Sequence, residues 1–252
     1  MDILLPYTAQ LFYFPKFTTK NDIGELMPEP AATGVLLDIK GQHFIVTAKH
    51  VFADTRLDDF AILATDVLIS LGGEMAFYQL TNNDTVDIAL ILIPPDRAEA
   101  IKKTYQFLPW QNLAFNHTFS EDALYGFLGF INAQTTRNGN SLDCKPFGFR
   151  TTLKAGTRLE NYGFSSLENI MLKYETGHQR IEDAPHSNIG PKSLKGLSGC
   201  GIWHIAKNDD AKLRVYSLVG VLIEERMDKG FLVGTQISMI LRLLREYFRM
   251  TL

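Results

Sequence analysis

The stretch GVLLDIKGQHFIVTAKH, residues 34–50, decides the reading of the fold. Two apolar runs, 34–39 and 43–47, are rich in β-branched and aromatic residues, and Gly41-Gln42 between them reads as a hairpin turn. Working outward, similar short runs bounded by Gly, Asn, Asp or Pro occur at 11–14, 67–70, 75–80 and 88–93. A second set follows at 124–131, 150–153, 170–174, 201–205, 215–223 and 230–233. Strands in two groups of six predict an all-β chain of two antiparallel barrels or sandwiches, because the helices that alternating βαβ units need are missing between them. Two helical patterns stand apart. One is short and charged, 96–104, after Pro94-Pro95. The other, 236–250, puts Ile237, Ile240, Leu241, Leu244 and Phe248 on one face and is expected to pack onto its own domain. The aperiodic stretch 103–122 reads as a connection, dividing the chain into an N-terminal lobe, 1–110, and a C-terminal lobe, 111–252.

Composition excludes several classes. Of 252 residues, 46% are hydrophobic and 21% charged, an ordinary globular balance that argues against bulk disorder. The formal charge of −3 and the lack of a Lys/Arg stripe with interleaved aromatics argue against nucleic acid as a partner. The longest apolar runs, 88–93 and 218–223, fall far short of the roughly 18 residues a membrane span needs. The start MDILLPYTAQ lacks the basic and apolar regions of an export signal, so a cytoplasmic location is expected. In that compartment Cys144 and Cys200 read as free thiols.

Three short pieces carry chemistry. Thr47-Ala48-Lys49-His50 ends a strand, Asp87-Ile88-Ala89-Leu90 begins one, and Gly196-Leu197-Ser198-Gly199-Cys200-Gly201 surrounds a serine with glycines. Singly, each has a bland explanation: a loop histidine, a strand cap, a turn. Jointly they put His50, Asp87 and Ser198 in the chain order His, Asp, Ser. An α/β-hydrolase elbow needs a last glycine where Cys200 stands and the order Ser, Asp, His. A subtilisin order would draw on Asp38, against the all-β pattern. A zinc site from Cys144, Cys200, His178, His186 and His204 has no recognised ligand spacing, and no Walker-type glycine loop is present, so no cofactor or metal is implied.

On these motifs the sequence resembles the trypsin/chymotrypsin-like serine peptidases, of the intracellular, bacterial type. His50 falls in a T-A-x-H motif, Asp87 in D-I-A-L and Ser198 in G-x-S-G, and Val219-Gly220-Val221 is similar to the strand that lines the substrate cleft. The resemblance covers most of the chain. It implies two six-stranded antiparallel β-barrels with a C-terminal helix, and a serine endopeptidase acting on proteins or peptides through an acyl-enzyme. His50 would be the base, Asp87 would hold its tautomer, and Ser198 would be the nucleophile. The backbone amides of Gly196 and Ser198 would form the oxyanion hole, and Gly199 would keep the backbone close to the cleft. In viral relatives a cysteine takes the place of Ser198, so Cys200, two residues on, reads as a packed thiol.

The sequence departs from secreted members. Leu197 stands where they carry an Asp that pairs with a freed N-terminus, so activation by that route is excluded. Lys192, Ile223 and Glu224 are the candidate substrate-binding residues. Lys192, six before the serine, favours an acidic or polar side chain, whereas Glu224 and Glu225 pull toward basic ones. The sequence assigns neither sign. Two other readings fit the same residues: a peptide-binding module without turnover, and a latent peptidase opened by an activating partner protein.

Overall fold

A computed structural model describes residues 2–14, 28–53, 55–78, 85–138, 141–156, 158–174, 193–207 and 214–251. In chain order its elements are β1 (Thr8–Tyr13), β2 (Glu29–Ile39), β3 (Gln42–Thr47), β4 (Phe60–Ala64), β5 (Val67–Ser70), β6 (Glu74–Phe77), β7 (Ala89–Leu92), α1 (Pro95–Ile101) and β8 (Leu108–Pro109). Then come β9 (Tyr125–Asn138), β10 (Ser141–Thr151), β11 (Asn169–Lys173), β12 (Gly201–Lys207), β13 (Arg214–Arg226), β14 (Phe231–Gln236) and α2 (Ile240–Glu246).

These strands form two sheets. The first runs β5-β4-β1-β2-β3-β7-β6, with β8 beside β2; the second runs β10-β9-β12-β13-β14-β11. Neighbours pair antiparallel, except that β8 runs parallel to β2. At the edges of the second sheet, Leu153 bridges Leu172, Lys154 N–H donates to Met171 O (3.0 Å) and Lys173 N–H to Thr152 O (3.0 Å). The chain leaving β10 therefore meets β11, and the sheet closes on itself as a barrel, which removes its free edges.

Among the described residues the first lobe holds eight strands where six were expected. The additional ones are β4 and the two-residue β8. The sequence of β4, FAILA, carries two alanines, and its hairpin with β5 turns at Thr65-Asp66, both at positive φ (46° and 62°) without a glycine. Such a turn lacks the Asn-Gly or Asp-Gly signal that marks a two-residue hairpin. The β2–β3 turn is one residue earlier than expected. Ile39 pairs with Gln42, Lys40 and Gly41 take positive φ, and Asp38 Oδ1 accepts the Gly41 N–H (2.8 Å).

The closing helix is shorter than 236–250. Gln236 still pairs with Gly220 in the sheet, a 3-10 turn follows at Ile237–Met239, and α2 covers only Ile240–Glu246. The tighter 3-10 winding shifts the phase, so Leu243 rather than Leu241 joins the buried face. Nor does the helix stay on its own lobe. Ile237, Ile240, Leu243 and Leu244 pack with Val35, Leu37, Phe44 and Leu90 of the first sheet, and Phe248 meets Phe44 edge-on at 5.1 Å. The reason lies in β2 and β3, which are apolar on both faces. One face packs with Ala98 and Ile101 of α1, and the other needs a cover from elsewhere.

Leu244→Ala is expected to lower the unfolding free energy by about 3 kcal/mol, as a fully buried leucine truncation does. A urea titration followed by circular dichroism checks this; a loss under about 1 kcal/mol would show that the helix cover is dispensable.

Candidate active site

The register of two strands brings His50 and Asp87 together. Thr47, the last residue of β3, pairs with Ala89, the first of β7. His50 lies three residues beyond Thr47, in the 3-10 turn Lys49–Phe52, and Asp87 two residues before Ala89. Because the strands are antiparallel, both overhangs project past the same end of the sheet. One carboxylate oxygen, Oδ1, accepts the His50 backbone N–H (2.9 Å), and the other, Oδ2, lies 2.5 Å from His50 Nδ1. A carboxylate is acceptor-only, so Nδ1 carries the proton and Nε2 is left as the basic nitrogen.

The Asp87 segment is held by the other lobe. Asp87 N–H donates to Thr235 Oγ1 (3.3 Å), Asn169 Nδ2 donates to Thr85 O (2.8 Å), and Thr85 Oγ1 donates to the Glu168 carboxylate. The imidazole is about half exposed and the carboxylate about a quarter. The hydrogen bond that His50 donates to Asp87 raises the His50 pKa above 6.5, against desolvation, with smaller charge contributions from Asp87 and Glu224.

Ser198 sits on the turn between Leu194 and β12. Leu197 N–H donates to Leu194 O (2.9 Å), Cys200 N–H to Leu197 O (2.9 Å) and Gly199 N–H to Leu222 O (2.8 Å). Among the described residues, the Gly196 and Ser198 amides donate to nothing. The Lys195 carbonyl accepts from Asn132 N–H (2.9 Å), so across that trans peptide the Gly196 N–H points the opposite way, free to meet a ligand. Gly196 has φ +103°, and a Cβ there would stand 2.2 Å from Asn132 Oδ1; no other residue fits.

The serine turn is tied to β2, and through it to the end of β3, which leads to His50. Thr33 N–H donates to Ser198 O (2.9 Å), Thr33 Oγ1 donates to Gly196 O (2.9 Å) and accepts from Phe130 N–H (3.0 Å), and Thr47 Oγ1 donates to Thr33 O (2.7 Å). Gly199 lies so close that a Cβ would be 2.0 Å from Thr47 Oγ1. Among the described residues the Ser198 hydroxyl makes no hydrogen bond, to His50 or otherwise. Catalytic hydrogen bonds are often loose until a substrate is bound.

Ile223 and Glu224 line a cavity of about 350 Å³ with His50, Thr85, Asp87 and Phe164. Lys192, His178 and His186 lie outside the described residues. Glu225 is occupied otherwise: Oε2 accepts the Leu194 N–H (3.0 Å) at the start of the serine turn. Cys144 and Cys200 are free thiols. Burial pushes both up, Cys144 to about 11, which suits inert packing. Among the described residues no cluster of three or more His, Cys, Asp or Glu is poised to hold a metal. Also among them, no helix is long and apolar enough to cross a membrane.

Sequence reading missed Thr33, Asn132, Asn169 and Thr235. Each is a short polar residue in an apolar run or at a strand end, and nothing local distinguishes it; a buried polar residue within a predicted strand is the one available signal.

No family model matches the chain, and no curated protein does. Two solved structures are similar over nearly the whole length. The structure of GrC shares 13% identity at a TM-score of 0.58, covering 97% of this chain and 95% of that one. The scabies mite inactivated protease paralogue S-I1 shares 16% at a TM-score of 0.55, covering 98% and 96%. At such identities the likeness shows the fold, which is the trypsin/chymotrypsin-like one that the three motifs led us to expect.

Thr33→Val removes a buried hydroxyl while keeping its shape, stranding Gly196 O and Phe130 N–H. It is expected to cost about 2–6 kcal/mol of stability by denaturant unfolding, since each of the two stranded buried groups costs about 1–3. His50 is expected to titrate above 6.5 by NMR, and at or below it in Asp87→Asn, where desolvation is left as the main influence. Because the folded value is raised, the pair's contribution to stability is fully present below pH 6.5 and is lost as pH rises through the folded value.

Proposed function

We propose that this chain is a serine endopeptidase that hydrolyses peptide bonds through Ser198, His50 and Asp87. The observation that carries the reading is the imidazole–carboxylate pair, 2.5 Å apart, together with a serine turn bonded to Thr33 of β2, the strand paired with the one that leads to His50. A serine hydroxyl is a weak nucleophile at neutral pH and needs a base beside it. In this reading Ser198 Oγ attacks the scissile carbonyl carbon while His50 Nε2 takes its proton. The Gly196 and Ser198 amides receive the developing oxyanion, a contribution of about 3–4 kcal/mol per donor in water-excluded sites. The imidazolium is stabilised by Asp87 and then delivers the proton to the departing amine. Water repeats the sequence on the acyl-enzyme and frees Ser198. No cofactor enters any step. The substrate is a protein or peptide, and two unpaired thiols fit a cytoplasmic setting.

A second reading, a peptide-binding module without turnover, is favoured by two observations. One of the similar structures is described as an inactivated protease paralogue, and the Ser198 hydroxyl makes no bond to His50 among the described residues.

A fluorophosphonate probe separates the two. Wild type is expected to be labelled at Ser198, and Ser198→Ala to be unlabelled. The rate should rise with pH through a midpoint above 6.5, because the base must be neutral and its pKa is raised. Asp87→Asn should slow peptide turnover by about 10⁴. Folded wild type that never labels would remove the enzyme reading and leave the binding one.

A further inference from the structure

The cavity beside His50 has a composition that the triad does not explain. Of its lining residues, Asp87 has both carboxylate oxygens engaged by His50, and Thr85 is bonded to Glu168. Phe164 and Ile223 supply apolar wall, and Glu224 supplies the charge that remains. A β-bulge produces this. Leu222 pairs with Gly234 and Glu224 with Val233, so Ile223 is skipped in the register. In a regular strand Ile223 and Glu224 would face opposite sides; the bulge lets both line one cavity. Ser198 lies outside the lining, so the cavity takes a residue next to the scissile bond rather than the one bearing its carbonyl.

We propose that this cavity selects a cationic side chain, lysine or arginine, on the substrate residue that lies against His50, with Glu224 as the residue that reads it. The inference rests on the cleft being a peptide-binding site. Phe164 and Ile223 receive the aliphatic stem and the Glu224 carboxylate the charged head, the arrangement that long basic side chains require. Glu225 does not share this role, because its carboxylate is held by the Leu194 amide. In the free protein Glu224 pairs with Arg226, two residues along the same strand. The two side chains are more than a third exposed, so solvent screens the pair, but the Arg226 Nε that makes it is buried, and a substrate cation must displace it to reach Glu224. Arg226 is thus an internal competitor for the Glu224 carboxylate.

Equilibrium binding to Ser198→Ala protein tests this whether or not the wild type turns over. The probes are a set of fluorescent peptides differing at one position, with Lys, Arg, norleucine, Gln or Glu there, scanned across the positions flanking a central bond. One position is expected to prefer Lys or Arg over norleucine and Gln by roughly tenfold, one charge-assisted contact. Adding Glu224→Gln should shrink that preference to about twofold or less, while norleucine peptides keep their affinity. Glu224→Lys should turn it toward the Glu peptide. Arg226→Gln should strengthen it, and raising the salt to 1 M should weaken it. Circular dichroism and thermal unfolding verify each fold. A cationic preference unchanged in Glu224→Gln, no such preference at any position, or no peptide bound at all would each overturn the proposal. Ser198 labelling by the fluorophosphonate is read separately. Labelling without cationic preference sinks this inference alone, and preference without labelling sinks the endopeptidase reading alone.

Discussion

The buried hydrogen bond from the Thr33 amide to the Ser198 carbonyl is the constraint on which the site depends. Thr33 belongs to the first sheet and Ser198 to the second barrel. Two lobes joined only by apolar contact could settle in several offsets, because hydrophobic burial is not directional. Hydrogen bonds are, and in a dry interface an unmade one is costly. Around Thr33 the same seam carries Asn132 Nδ2 donating to Pro30 O (2.7 Å) and the mutual bonds of Gln10 with Thr135 (2.8 and 3.1 Å). An offset of one residue would strand all of them together. The relative position of the lobes, and with it that of the serine turn and His50, is fixed by this polar seam.

A reciprocal arrangement follows. The first lobe holds the second lobe's serine turn through Thr33, itself held by Thr47, while the second lobe steadies the first lobe's Asp87 segment through Asn169, Thr235 and Glu168. Neither the serine turn nor the Asp87 segment is supported only by its own lobe. Loops placed by rigid strands of both lobes have little freedom to drift, and precise placement is what effective intramolecular chemistry requires.

Much of this was legible in the sequence because it is written in local patterns. The 34–50 hairpin, the His50 and Asp87 overhangs and the glycine-bracketed serine are each encoded within a few residues. What escaped reading was set by tertiary context. Strand β4 hides behind two alanines and a turn without glycine. The tail helix reads as amphipathic, but which sheet it covers depends on β2 and β3 being apolar on both faces. Thr33 and Thr235 look like ordinary strand threonines until the opposite lobe supplies their partners. The bulge at Ile223 is a matter of pairing register, which the sequence of β13 alone does not specify.

The tail helix has a consequence for biosynthesis. Ile237, Ile240, Leu243 and Leu244 cover a sheet whose strands were translated long before them. Until the ribosome has delivered that segment, Val35, Leu37, Phe44 and Leu90 lack their cover, and the nascent first lobe stays only partly consolidated. Consolidation of the first lobe thereby waits on a segment of the second, and the serine turn and the Asp87 segment settle against each other only once residues 237–244 have been made.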